Sequence, residues 1–187
     1  MNILLIILIA LAFAKDDVIE NKSSSIKRLQ DLKLKLNMKP QDLLPSDPYA
    51  RANKVTPQAI DSIKLAAKNY IPEPVSLDDV IIMETTMGTM KLRYFPDVAE
   101  RHCYNFKKLA NSGFYDKTQF HRVIRNFMIQ GGDILSRDES RKNDGTGDPG
   151  WTVNSEFNQI KHTKGVLSMA RGSSENSAGS QFFICHN

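Results

Sequence analysis

Residues 120–133 read FHRVIRNFMIQGGD, and this stretch carries most of the information about the fold and the site. Two β-rich runs, 120–124 and 127–130, flank a short turn, and side chains alternate between the two faces along each run. Arg122 therefore shares a face with Ile124. The stretch brings a cation and an amide, Gln130, together with several large apolar groups. The pattern leaves two interpretations open: a ligand-binding cluster, or ordinary core packing of the apolar residues with Arg122 on the surface.

The surrounding residues predict a mainly β domain over 79–187. Further β-rich runs occur at 80–83, 165–169 and 181–184, and strict alternation after Gly88 predicts a hairpin. One amphipathic helix is predicted after Pro96, and we expect Asp97 and Glu100 to form a capping box at its start. Its apolar face ends before Gly113. The members of this face are Ala99, Cys103, Phe106 and Ala110.

Residues 15–78 predict a helical extension and a linker. Prolines divide this part into short pieces, and two of them, 26–36 and 56–71, have apolar residues at helical spacing. The second piece has the cleaner signal, since Thr56 can cap the helix and Pro57 suits its first turn. An amphipathic face is usually buried against the same protein, and an arm for dimerisation or client binding is the alternative.

The first residues resemble a signal peptide. Residues 3–14 are wholly apolar but too short to cross a bilayer as a helix, and Ala12 to Ala14 supply a small-x-small cleavage pattern. We therefore expect residues 1–14 to be a signal peptide and the protein to be exported, to a periplasm or outside the cell. Because the start lacks a basic residue, an uncleaved membrane anchor is the alternative, and no other membrane contact is expected.

Composition and motifs exclude several classes of function. The net charge of +4 is too small to indicate nucleic-acid binding, and the two cysteines, Cys103 and Cys185, form no zinc motif. Export would place both cysteines in an oxidising compartment, where a disulfide between them can form, but their spacing does not predict one. Residues 145–150 match a dinucleotide-binding glycine pattern, but neither a strand precedes them nor a helix follows, so we interpret them as a tight loop. No metal and no cofactor is expected.

Four segments, taken together, resemble one known family. FHRVIRNFMIQGGD is followed by DGTGDPGW at 144–151, GVLSMARG at 165–172 and SAGSQFFICH at 177–186. In this order they resemble the cyclophilin family of peptidyl-prolyl cis-trans isomerases, and residues 171–179 resemble its bacterial type. The resemblance implies an antiparallel β-barrel with a capping helix. The family pattern continues past Asn187, so we expect a barrel that is incomplete at its C-terminal end.

The resemblance also implies site residues and partners. It makes Arg122 the catalytic arginine, and it implies proline-containing polypeptides as substrates. The pocket for the proline ring would be walled by Phe127, Met128 and Phe183. The peptide chain would be held by Gln130, Ala170, Arg171 and Gln181.

Two other functions stay open from the sequence. The pocket could bind proline-containing segments without catalysis, as a chaperone module, and the helical extension would then enlarge the contact surface. Alternatively, the chain could be a truncated and inactive fragment. No feature of the sequence indicates an oligomeric state.

Overall fold

A computed structural model describes residues 5–7 and 55–186. The predicted helix over 26–36 and most of the predicted signal peptide lie outside these residues. No helix in the described part is long and apolar enough to cross a membrane. The strands are β1 (Leu5–Ile7), β2 (Val80–Thr85), β3 (Gly88–Arg93), β4 (Arg122–Ile124), β5 (Met128–Gly131), β6 (Leu167–Met169) and β7 (Phe182–Cys185). The helices are α1 (Pro57–Asn69), α2 (Pro96–Asn111) and a 3-10 helix (Ile134–Arg137).

The strands form two antiparallel sheets. One has the order β1-β2-β3 and the other the order β4-β5-β7-β6. The predicted runs from 80 onward all appear as strands, shifted by at most two residues at either end. Over the described residues the two sheets do not join into a closed barrel.

β1 lies inside the stretch that the sequence predicts as a signal peptide. It pairs with the outer edge of β2, with Leu5 opposite Thr85 and Ile7 opposite Met83. Cleavage after Ala14 would remove this strand and leave that edge of β2 without its backbone partners.

An aromatic cluster fills the core between α2 and the second sheet. The ring of Phe182 on β7 lies 5.4 Å from that of Phe106, 5.5 Å from Tyr115 and 6.1 Å from Phe120, all edge to face. The fully buried Tyr115 also donates a hydrogen bond from its hydroxyl to the Ser180 carbonyl, 2.8 Å away. This cluster fixes β7 against the helix, and β7 in turn carries the predicted pocket residue Phe183.

The start of α2 differs from the sequence prediction. The N-cap residue is Phe95, no side chain caps it, and the helix is interrupted at Ala99, where φ is −150°. The predicted capping box of Asp97 and Glu100 is therefore wrong. After the interruption Glu156, distant in sequence, accepts hydrogen bonds from the backbone N–H groups of Arg101 and His102.

Helix α1 confirms the sequence prediction and packs on the domain that follows it. The Thr56 hydroxyl accepts a hydrogen bond from the Ala59 N–H, and Ala67 is completely buried. Lys108 on α2 donates to the Lys68 carbonyl at 2.9 Å. The apolar face of α1 is thus used within the chain, as the simpler interpretation predicted.

We expect Ala67→Leu to lower the free energy of unfolding by about 1–3 kcal/mol, because the added carbons enter a space that is already filled. Ala66→Leu is the matched control, since Ala66 is exposed on the same helix and leucine has nearly the same helix propensity. Urea unfolding curves of the two variants test this. Equal stabilities would show that α1 is not packed on the domain.

The possible disulfide is not present. Cys103 and Cys185 are both free thiols, and burial raises the pKa of each.

Candidate functional site

The predicted catalytic arginine begins a row of residues that crosses the whole second sheet. Arg122 on β4 pairs with Gln130 on β5, Gln130 with Phe183 on β7, and Phe183 with Ser168 on β6. Directly paired residues point to the same face of a sheet. The register therefore places the cation, the amide and the aromatic ring side by side.

A chain of hydrogen bonds orients the Arg122 guanidinium. Its Nη1 donates to Gln130 Oε1 at 3.2 Å, and Gln130 Nε2 donates to Gln181 Oε1 at 3.0 Å. Gln181 Nε2 donates in turn to the carbonyls of Gly145 and Gly147, at 2.9 and 3.0 Å. Because each amide has both its donor and its acceptor engaged, the oxygen of Gln130 is directed at Arg122.

The glycine loop at the end of this chain is anchored by a buried carboxylate. Asp133 is completely buried, and it accepts hydrogen bonds from the N–H groups of Leu135, at 2.7 Å, and Gly145. A Cβ on Gly147 would overlap the Asp133 carboxylate. The loop predicted at 145–150 is present, and two of its carbonyls accept hydrogen bonds from Gln181.

The predicted site residues line one cavity of about 920 Å³, with one exception. Those on its wall are Arg122, Phe127, Met128, Gln130, Ala170, Arg171 and Phe183. Gln181 does not line the cavity, and it contacts the site through Gln130. Its hydrogen bonds position Gln130, and its predicted contact with the substrate peptide stays a prediction.

The two hydrophobic residues after the β4–β5 turn have different environments. Phe127 is 55% exposed, whereas Met128 is only 2% exposed, although both line the cavity. Asn126 has a φ of 58°, and the Phe127 N–H donates to the Ile124 carbonyl, so the tight turn directs the Phe127 ring to the surface. The core-packing interpretation of residues 120–133 agrees with the burial of Met128 but not with the exposure of Phe127, and Arg122, Phe127 and Met128 all line the cavity.

The end of β6 provides the opposite wall. The Ala170 N–H donates to the Gln181 carbonyl at 2.8 Å, which extends the β6–β7 pairing by one residue. The Arg171 guanidinium lies 6.0 Å from the centre of the Phe157 ring and donates to the Gly172 carbonyl at 3.1 Å. Arg171 thus presents a cation at the cavity, in addition to its main chain.

Two aromatic groups at the cavity were not predicted from the sequence. Phe157 is 69% exposed beside Arg171, and the His162 ring lies 5.4 Å from the Phe183 ring. Both residues belong to the segment between the glycine loop and β6, which has no regular secondary structure. Periodicity cannot assign side chains in such a segment.

Glu156 anchors the same segment to α2. Its carboxylate accepts the Arg101 and His102 N–H groups at 3.0 and 2.9 Å and lies 2.7 Å from the His102 ring nitrogen Nδ1. Burial by itself would raise the pKa of Glu156, but the hydrogen bonds with the His102 ring and these N–H groups outweigh burial and lower it. The neighbouring Phe157 is therefore held close to the cavity.

This anchor predicts a loss of stability in acid. Folding lowers the pKa of Glu156 from the ordinary value of 4.5. The ionised carboxylate therefore stabilises the fold fully above pH 4.5, and this stabilisation is lost as the pH falls through the lowered pKa of the folded state. We expect Glu156→Gln to be less stable at neutral pH and to lose less stability than the native chain between about pH 6 and pH 3. Urea unfolding across this range is the measurement. Glu73→Gln, at an exposed linker position, should follow the native curve, and a native-like Glu156→Gln curve would show that the anchor contributes nothing.

Comparisons with known proteins agree on one family. The family model described as cyclophilin type peptidyl-prolyl cis-trans isomerase/CLD matches residues 80–187. A peptidyl-prolyl cis-trans isomerase of Synechococcus elongatus is 46% identical over 56% of this chain and 67% of its own length. Peptidyl-prolyl cis-trans isomerase B of Bacillus subtilis is 42% identical over 52% of this chain and 64% of its own length.

A solved structure shows the same fold. It is a Cryptosporidium parvum cyclophilin type peptidyl-prolyl cis-trans isomerase, crystallised in the presence of the dipeptide Ala-Pro. It matches with a TM-score of 0.52 and 34% identity, over 58% of this chain and 68% of that one. This chain therefore spans about two thirds of the length of that structure. It likewise spans 67% and 64% of the lengths of the two curated relatives.

Proposed function

The chain belongs to the cyclophilin-type peptidyl-prolyl cis-trans isomerase family, and from that premise we propose that it catalyses rotation about Xaa-Pro peptide bonds in proline-containing polypeptides. The observation that carries the proposal is the Arg122 guanidinium, held by Gln130 at a cavity that Phe127 and Phe183 also line. A cation beside an apolar recess can bind the nitrogen of a twisted Xaa-Pro bond and its proline ring together.

The barrier to the reaction is amide conjugation. The Xaa-Pro bond has partial double-bond character, which sets a barrier of about 20 kcal/mol and makes uncatalysed exchange take tens of seconds or more. Twisting the bond removes conjugation and leaves a lone pair on the proline nitrogen. A guanidinium N–H binds this lone pair more strongly in the twisted state than in the planar one, which lowers the barrier.

The remaining site residues bind and orient the substrate. Phe127, Met128 and Phe183 would enclose the proline ring and exclude water, which strengthens the interaction of the nitrogen with Arg122. Gln130 fixes the guanidinium on one side and faces the cavity on the other. An acceleration of a millionfold requires only about 8 kcal/mol, which orientation and electrostatics can supply.

A solvent-jump assay on a short neutral peptide with one Ala-Pro bond tests the proposal. We expect the rate of cis–trans relaxation to rise in proportion to the concentration of the full chain. Relaxation at the uncatalysed rate, with the peptide nevertheless bound, would favour the non-catalytic binding module. No binding and a broad thermal transition would favour the inactive fragment.

We also propose that residues 1–14 direct export and are cleaved after Ala14, so that the substrates are exported proteins in a periplasm or outside the cell. The support is the apolar run at 3–14 and the small residues before Lys15. Fractionation of the native cells, with the intact mass of the purified protein, tests this. An N-terminus at Lys15 in the exported fraction is expected, and a retained Met1 in the soluble cytoplasmic fraction would contradict it.

A further inference from the structure

We propose that the site prefers prolines whose neighbouring residues carry carboxylate side chains. The inference deepens the proposed isomerase function and rests on it, since it names the substrate class of the same site. It is drawn from the distribution of charge around the cavity.

Positive charge predominates on the cavity wall. Five formally charged cations line the cavity, namely Lys91, Arg93, Arg122, Lys164 and Arg171. Only two carboxylates, Glu156 and Glu175, lie on the same wall. A cavity lined mainly by one sign of charge attracts ligands of the opposite sign.

No ion pair within residues 55–186 joins a carboxylate to any of these five cations. Glu156 is already engaged by the His102 ring and the start of α2. Lys64, Arg101, His102 and Lys107, which do form ion pairs in this part of the chain, are not among the five. Arg122 and Arg171 instead donate to neutral amide and carbonyl oxygens, so both keep a full charge available to a ligand.

Two of the cations stand on either side of the row that would hold the proline. Phe183 pairs with Ser168 in the middle of β6. Arg171 follows the end of that strand, and Lys164 precedes its start. The residue after Lys164 is held to β7, because the Gly165 N–H donates to the Cys185 carbonyl at 2.9 Å. The two cations are thus separated along the chain by at most about 23 Å, at about 3.3 Å for each extended residue.

A bound peptide of about seven extended residues would span this maximum separation. An extended segment also advances about 3.3 Å per residue, so side chains two or three positions from a proline at Phe183 come within reach of Arg171 or Lys164. Arg171 is partly ordered beforehand by its contact with Phe157 and its hydrogen bond to Gly172. Less side-chain freedom is then lost when a carboxylate binds.

Three matched peptides test the preference. Each has one Ala-Pro bond and the same residue two positions before and two positions after the proline. That residue is glutamate in the first peptide, glutamine in the second and lysine in the third. With the full chain at low salt, we expect kcat/KM for the glutamate peptide to exceed that of the glutamine peptide about tenfold, and the lysine peptide to be slowest. The differences should shrink at about 0.5 M salt, because ions screen the exposed cations.

Variants locate the effect. The double variant Lys164→Gln with Arg171→Gln should reduce the glutamate-to-glutamine ratio to about one or two. Lys142→Gln is the matched control, because Lys142 is exposed and does not line the cavity. It should keep the native ratio. A native ratio in the double variant would overturn the assignment to these residues.

The two proposals fail in different ways. Equal kcat/KM values for all three peptides would overturn the charge preference and leave the isomerase function standing. If none of the peptides is isomerised, the isomerase proposal fails, and peptide affinities measured by fluorescence decide the preference. Tighter binding of the glutamate peptide would then support it, and equal affinities would overturn it.

Discussion

Replacing Arg122 with alanine is expected to lower kcat for prolyl isomerisation by about two to three orders of magnitude while the fold is retained. Arg122 is exposed at the cavity, and its guanidinium donates a hydrogen bond to the Gln130 side chain. Its loss therefore removes no core packing. The effect should fall on kcat more than on KM, because the lone pair of the proline nitrogen exists only in the twisted state.

Arg125→Ala is the matched control for this variant. Arg125 is exposed in the β4–β5 turn and does not line the cavity. It should keep native activity, and both variants should melt cooperatively near the native temperature. Loss of activity in both variants alike would mean that general positive charge, and not the position of Arg122, is responsible.

Gly147→Ala is expected to reduce both stability and activity. The added Cβ would overlap the buried Asp133 carboxylate and lie 3.0 Å from the side chains of Ile134 and Leu135. Relief requires moving the loop, and therefore weakens the hydrogen bonds that Asp133 accepts and the one that Gln181 donates to the Gly147 carbonyl. We expect a loss of about 3 kcal/mol and a melting temperature lower by about 10 °C.

Gly172→Ala tests whether this effect is specific. A Cβ on Gly172 would meet only the Ser177 hydroxyl oxygen at 3.4 Å, an ordinary contact. Its stability should be within about 0.5 kcal/mol of the native chain. Thermal melts and the solvent-jump assay of both variants are the measurements. If Gly147→Ala is as stable and active as Gly172→Ala, the loop does not hold the site together.

The sequence predicted the features that depend on neighbouring residues. Thr56 and Pro57 begin α1 as expected, and alternation identified β3 and β4. Residues 120–133 carry Arg122, Phe127, Met128 and Gln130 within one hairpin, so local pattern and resemblance together found most of the site.

The features that it missed depend on contacts between distant residues. Glu156 replaces the predicted capping box of α2 from more than fifty positions away. Gln181 bonds to Gln130 only because β7 pairs with β5, a strand order that no local pattern reveals. The cations Lys164 and Arg171 likewise meet at one cavity only after β6 joins the sheet.

Exchange spectroscopy by NMR, on a neutral Ala-Pro peptide with the full chain, tests the central claim most directly. Binding and rotation are observed in one sample, because shift changes report binding and exchange peaks between the cis and trans signals report rotation. We predict exchange peaks at catalytic amounts of protein, on a timescale far shorter than the tens of seconds of the free peptide, and their absence in Arg122→Ala. Shift changes without exchange peaks would contradict catalysis and identify the cavity as a binding site alone.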